Sequence, residues 1–175
     1  MGRDRDPFER TLAALRRRLA ERGPLQGAPL PVAGLAAELG VSPTPVREAL
    51  ARLSGEELVA RSGAGYAGLV HDRESLAGLY ALAGLLATAA IVGTKDGDLV
   101  ASPDAGLLEQ LARSTTNPAI AVSLRRVAAQ LAPFAVAEAD LFGEQVPVLS
   151  VGELRRHYRR RMRRASEILR QALGF

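Results

Sequence analysis

Apolar positions recur at the helical period through most of this chain, and fall into short strand-like runs at only two places. Phe8, Leu12, Leu15 and Leu19 form one stripe across residues 8–22, which predicts an amphipathic helix stopped by Gly23-Pro24. Gly27, Pro29 and Pro31 predict irregular backbone after it. Val32, Leu35, Ala36 and Leu39 then stand at i, i+3, i+4 and i+7, a short helix ended by Gly40 in a position suited to a left-handed turn. Ser42 is placed to cap a third helix, with Pro43 at its first position, where a missing N–H costs nothing. Val46, Ala49, Leu50 and Leu53 are its buried stripe, and Thr44, Pro45, Arg47, Glu48, Ala51 and Arg52 its outward face. Leu58-Val59 and Leu69-Val70 flank a glycine-rich stretch from Ser62 to Gly68, which predicts a two-stranded hairpin with a flexible tip.

From Asp72 onward the pattern is helical throughout, over 73–92, 103–113, 118–131, 134–142 and 152–173. The breakers are Gly93 and Gly97, the Thr115-Thr116-Asn117-Pro118 turn, Pro133, and Gly143 to Pro147. The fold class expected is mainly α. Residues 1–71 form a winged helix-turn-helix with a small β-hairpin wing, and residues 72–175 an all-α bundle domain.

Composition narrows the chemistry. In 175 residues there is no cysteine and only two histidines, His71 and His157, which excludes a disulfide framework, a thiolate site and a histidine-rich metal cluster. Lys95 is the only lysine, so the positive charge is arginine. That charge is uneven: residues 1–71 carry 10 basic against 8 acidic side chains, 72–152 carry 5 against 9, and 153–175 carry 8 against 2. Basic ends around an acidic middle suggest a polyanionic partner. The N-terminal segment is charged, with no apolar run of a signal peptide, so cytoplasmic location is expected. Residues 75–94 carry no charge and are long enough to span a bilayer, but their Ala, Gly, Ser and Thr content predicts a buried bundle helix instead. No Ser/His/acid set, phosphate-cradling glycine loop or carboxylate pair stands out, so no enzyme is expected.

Two short helices across a glycine turn, followed by a hairpin, place the outward face of the second helix where it can enter a major groove. Arg47, one turn in, can fork onto guanine O6 and N7. Ser42, Thr44, Pro45, Arg52 and Arg61 are further candidate DNA contacts, and Gly63 and Gly65 at the hairpin tip let the backbone approach a sugar-phosphate chain.

The run from Leu35 to Leu53, with Val41-Ser42-Pro43-Thr44-Pro45-Val46-Arg47-Glu48-Ala49-Leu50 at its centre and Glu57-Leu58-Val59 after it, closely resembles the DNA-binding domain of GntR-superfamily transcriptional regulators, FadR branch. The resemblance covers about residues 8–71. It implies a homodimer on a palindromic operator in double-stranded DNA, repressor function, and a C-terminal FCD-like helical domain for dimerisation and small-molecule sensing. Pro43 stands where the family commonly has arginine, and Ala33 and its neighbours where some members have another, so two guanine readers are missing. The C-terminal half resembles the effector domain more faintly, through the 76–90 helix, the Asn117-Pro118 junction and the last helix with His157. The family's Arg and Glu in the opening helix are replaced by Ala83 and Ala87, and His157 alone matches the Asp and three His of metal-binding members. No metal or other cofactor is therefore expected. An effector pocket lined by Leu79, Tyr80, Ala83 and Leu86 would be apolar, with few polar anchors, in a domain shortened to about 100 residues. The Arg155–Arg164 run is expected to be a solvated face opposite the acidic middle, or else a surface for phosphate or an acidic partner. The competing functions are an interaction protein, degenerate in operator reading, and a regulator tethered to a membrane through residues 75–94.

Overall fold

The computed structural model describes residues 6–63, 65–92, 106–143 and 150–175. The chain folds as two compact units, Met1–Val70 and His71–Phe175. The first is built from α1 (Pro7–Glu21), α2 (Val32–Leu39), α3 (Pro43–Gly55), β1 (Val59–Ser62) and β2 (Gly65–Gly68). The second contains α4 (Arg73–Val92), α5 (Leu107–Ser114), α6 (Pro118–Leu131), a 3₁₀ turn over Ala132–Phe134, α7 (Ala135–Phe142), α8 (Val151–Arg163) and α9 (Ala165–Ala172). The start of the helix expected over 103–113, and the breakers Gly93, Gly97 and 144–147, lie outside the described residues.

In the N-terminal unit the aliphatic stripes do what their spacing dictates. Leu12 and Leu15 of α1, Leu35 and Ala36 of α2, and Val46, Ala49, Leu50 and Leu53 of α3 converge with Leu30 and Val59 in one core. Asp6 caps α1 by accepting from the Phe8 N–H at 3.0 Å. Gly40 ends α2 at φ 63°, ψ 36°, and the Val41 N–H returns to the Ala36 carbonyl at 3.1 Å, so the chain reverses in three residues before α3.

The hairpin departs from the expected register. Its second strand is Gly65–Gly68, within the glycine-rich stretch, and Leu69-Val70 lie beyond it; Val59 pairs with Gly68 and Ser62 with Gly65. Close packing decides this. A Cβ at position 68 would sit 2.3 Å from Leu25 Cβ, so the strand fits only where it has no side chain. The segment after α1 is also less irregular than its prolines predict. Leu30 N–H donates to the Tyr66 carbonyl at 2.8 Å and Gly68 N–H to the Ala28 carbonyl at 2.9 Å, adding a third strand-like edge to β2. Pro29 and Pro31 flank the one N–H this edge needs, an arrangement open to proline only at a sheet margin.

In the C-terminal unit α4 is the central helix. Leu76, Tyr80, Ala83, Ala87 and Ala90 are buried along one side, in a core shared with Leu108, Leu111, Leu124, Val127, Phe134, Leu154 and Ile168. Asn117 caps α6, accepting from Ala119 and Ile120 N–H at 3.0 and 3.2 Å, with Pro118 at its first position. Ser150 caps α8 and exchanges hydrogen bonds with Glu153 three residues on. Two stretches, Arg73–Val92 and Pro118–Phe142, are long and apolar enough to cross a membrane by length and composition; the second is α6, the 3₁₀ turn and α7 in succession.

The helix expected over 152–173 is two helices, α8 and α9, broken at Arg164 (φ −103°, ψ 18°), whose guanidinium binds Glu167. The inward positions are Leu154, Tyr158, Arg161, Ala165 and Ile168, while Met162 and Leu169 are only half-buried. Arg161, expected in a solvated arginine face, is thus inside the core.

Candidate nucleic-acid interface

Helix α3 sets the site. Its Val46, Ala49, Leu50 and Leu53 are at most 1% exposed, which fixes the helix about its own axis. Thr44, Arg47 and Glu48, at i, i+3 and i+4, are accordingly exposed on the opposite side, with Pro45 and Ala51 half-buried beside them. Arg47 makes no ion pair or hydrogen bond among the described residues, so its guanidinium keeps all its donors for a ligand.

Ser42 occupies the N-cap with extended backbone, yet its side chain makes no capping hydrogen bond. The prolines supply a reason. A capping oxygen ordinarily takes the N–H of the second or third helical residue, and the third residue here is Pro45, which has none. The Ser42 hydroxyl therefore stays exposed and available. The same prolines thin the N–H groups at this helix end: of the four that a helix leaves unpaired, Pro43 and Pro45 remove two, and Ser42 and Thr44 retain theirs.

The other expected contacts are arranged less uniformly. Arg52 is exposed but bonded to Glu56 at 2.8 Å, and Glu56 also takes Arg16 of α1 at 2.6 Å. Arg52 thus helps fasten the end of α3 to α1. Arg18 makes a second surface pair with Glu38 of α2, and holds that carboxyl below its ordinary pKa. Arg61, on β1 opposite Tyr66, is exposed and unpaired among the described residues. Gly63 is exposed at the tip, and a Cβ at Gly63 or Gly65 would meet nothing within 4 Å.

The C-terminal unit contains a cavity of about 290 Å³ between helices α4, α5, α6, α7 and α8. Of the four residues expected to line an effector pocket, Tyr80 does so. Ala83 is wholly buried, and Leu79 and Leu86 are half-buried against the same core, away from this cavity. Small side chains at Ala83 and Ala87 let neighbouring helices pack closely over that part of α4. This cavity carries polar groups. Glu138 of α7 accepts from the Tyr80 hydroxyl at 2.7 Å and from Arg161 Nε, with Glu138 8% and Arg161 5% exposed. His157 lines the cavity, edge-on to Tyr158 at 4.8 Å, and burial together with the nearby Arg161 charge lowers its pKa to about 4, so its ring is neutral at pH 7. Burial, reinforced by Glu138, raises the phenols of Tyr80 and Tyr158. Among the described residues no group of three or more His, Cys, Asp or Glu side chains could hold a metal ion.

Sequence reasoning missed Glu138 and Arg161, although each left a signal. Glu138 stands four residues from Phe134 and next to Ala137 on an apolar face, and Arg161 falls between Tyr158 and Ala165 on the true stripe of α8 and α9. One acid and one base, each alone on an apolar face, suit a buried pair.

A glycine-turned helix pair presenting an open α3 face, with a hairpin beside it, defines a winged helix-turn-helix, here joined to a helical domain. Residues 7–65 match the family of bacterial regulatory proteins, gntR family. Among solved structures the chain is similar to E. coli McbR/YncC, with 20% identity and a TM-score of 0.54, over 95% of this chain and 91% of that one; the likeness is one of fold. It also aligns with Lar, which controls expression of the Listeria monocytogenes agr system, at 17% identity and a TM-score of 0.46, over 99% of this chain and 100% of that one. A third is a GntR-family transcriptional regulator from Pseudomonas syringae pv. tomato, at 21% identity and a TM-score of 0.34, over 99% of this chain and 84% of that one. No curated protein matches the chain.

Proposed function

We propose that this chain is a cytoplasmic, non-enzymatic transcription regulator of the GntR superfamily, FadR branch, a repressor that binds a palindromic operator in double-stranded DNA as a homodimer. The observation that carries the reading is the α3 face, with exposed Ser42, Thr44 and Arg47 above a fully buried aliphatic stripe, inside the segment that matches the gntR family. Arg47 reads a base edge, Ser42 and Thr44 add contacts at the start of the helix, and Pro45, Arg52, Arg61, Gly63 and Gly65 approach the flanking backbone. With Pro43 in place of an arginine, the operator differs from the family's usual one at the position that arginine would read.

Dimerisation is supported by a stripe on the outer side of α4. Gly78, Leu82, Leu85, Ala89 and Val92 are exposed at helical spacing, with Leu85 at 70% and Val92 at 75%, an apolar surface that a second copy would cover. The FCD-like unit, residues 72–175, senses an apolar small molecule. Leu107, Leu108, Ala128, Leu131 and Ala135 supply apolar walls to the cavity, and the Glu138–Arg161 pair cancels its own charge. Neutral His157 is left as a hydrogen-bonding anchor.

Selection from a random duplex pool tests the central reading. The parent chain should enrich one palindromic sequence, and Arg47→Ala should weaken binding to it by about 1–3 kcal/mol and blunt the preference. Equal binding by parent and variant would remove Arg47 from the interface, and enrichment of no sequence would favour the interaction-protein alternative.

A further inference from the structure

Helix α8 carries an arginine surface that the regulator reading leaves unused. Arg156, Arg159, Arg160, Arg163 and Arg164 line a groove of about 360 Å³. Two of the five are engaged: Arg164 binds Glu167 at 2.5 Å, and Arg160 lies over the Phe142 ring at 4.9 Å. Arg156, Arg159 and Arg163 are exposed with no ion pair among the described residues, as is Arg155 beside them. Among the described acids of the middle segment, Glu138 is taken by Arg161, and Glu109 lies near Arg113 and Arg125 at 3.4 and 3.9 Å.

Such a face is costly when empty. Arg155–Arg159, Arg156–Arg160, Arg159–Arg163 and Arg160–Arg164 are like-charged pairs at i and i+4, each mutually repulsive. The helix C-terminus favours Arg160, Arg161 and Arg163 in its last turn, but it gives no support to Arg155, Arg156 or Arg159 further back. A multivalent anion would relieve the repulsion.

We propose that this groove is a binding site for a compact oligophosphate, a linear anion of three or more phosphoryl groups held by Arg156, Arg159 and Arg163. Arginine side chains alone line the groove, so recognition is by their charge and by the paired N–H donors at their ends. From Arg156 to Arg163 the helix rises about 10 Å at 1.5 Å per residue, a length suited to a chain of phosphates rather than one. The positive field is also local. Residues 72–152 of this unit carry 5 basic against 9 acidic side chains, so an extended duplex would soon meet opposing charge where a compact anion would not.

The test is calorimetric titration of the full chain with inorganic tripolyphosphate at roughly physiological salt, where exposed charges more than about 8 Å apart are largely screened. The parent should bind one equivalent, sulfate at equal ionic strength should not saturate, and Arg47→Gln should leave the affinity unchanged. The triple variant Arg156→Gln, Arg159→Gln, Arg163→Gln should bind at least about tenfold more weakly, since each lost fork is a charge-assisted contact. If that variant unfolds, the triple lysine variant, which keeps the charge and loses the forks, should bind at least about threefold more weakly than the parent, and equal affinity would overturn the proposal. Affinity within about twofold of the parent for the glutamine variant, or saturation by sulfate, overturns the proposal. So does a random-sequence duplex that displaces tripolyphosphate and loses affinity with the same triple substitution, because the face would then belong to DNA.

Discussion

The two units handle charge in opposite ways. Among the described residues of the N-terminal unit, Thr11 is the one buried polar side chain, and the ion pairs Arg16–Glu56, Arg18–Glu38 and Arg52–Glu56 lie at the surface, the first two between helices and the third along α3. The C-terminal unit instead buries Arg161 and Glu138 in its core, joined by the Tyr80 hydroxyl, and leaves Arg155, Arg156, Arg159 and Arg163 outside without an ion pair among the described residues. A surface pair can break while each partner returns to water, whereas a buried pair cannot. The same two residue types therefore adjust one unit and hold the other together.

The largest effect should come from breaking the buried pair. Glu138→Ala strands Arg161 without a counter-ion and should cost about 3–5 kcal/mol in urea unfolding, while Glu138→Leu with Arg161→Met should recover most of it. A loss below about 1 kcal/mol for the single variant would put the pair on a par with those at the surface. Next comes Gly68→Ala in the hairpin, where the added methyl group must displace Leu25; about 1–3 kcal/mol is expected from overpacking.

A smaller effect depends on pH. His157 has a folded pKa of about 4 against an ordinary 6.5, so the unfolded chain takes up the proton first as pH falls. Stability should decline from about pH 6.5 to 4, by roughly 1–2 kcal/mol after allowance for solvent screening. His157→Gln should flatten that part of a melting-temperature profile, and an unchanged slope would show that the ring does not titrate there. Smallest of all, Glu56→Ala, which releases Arg16 and Arg52 at the surface, should cost less than about 1 kcal/mol.

This contrast also explains what could be read from the sequence. Where the core is purely aliphatic, spacing alone locates it, as with Val46, Ala49, Leu50 and Leu53, and the outward face of α3 follows by geometry. The hairpin register was hidden because it rests on the space that Leu25 denies to residue 68, a long-range contact with no local signature. On α8, Arg161 looks like one more surface arginine until Glu138 is brought to it from 23 residues away. Met162 and Leu169 carry the apolar spacing past Arg164 although both are only half-buried, so spacing alone shows no break there. The cavity anchors were lost by the same step, since Tyr80, Glu138, His157 and Arg161 come together only in the folded bundle.

The central claim is that Arg47 reads a guanine through its major-groove edge. A double-mutant cycle tests it most directly, pairing parent and Arg47→Ala with the selected duplex and with a copy in which one guanine at a time becomes 7-deazaguanine, which lacks the N7 acceptor. At one position the base change should weaken the parent by about 1–3 kcal/mol and leave Arg47→Ala unaffected, the mark of a shared contact. Additive losses at every guanine would contradict the account.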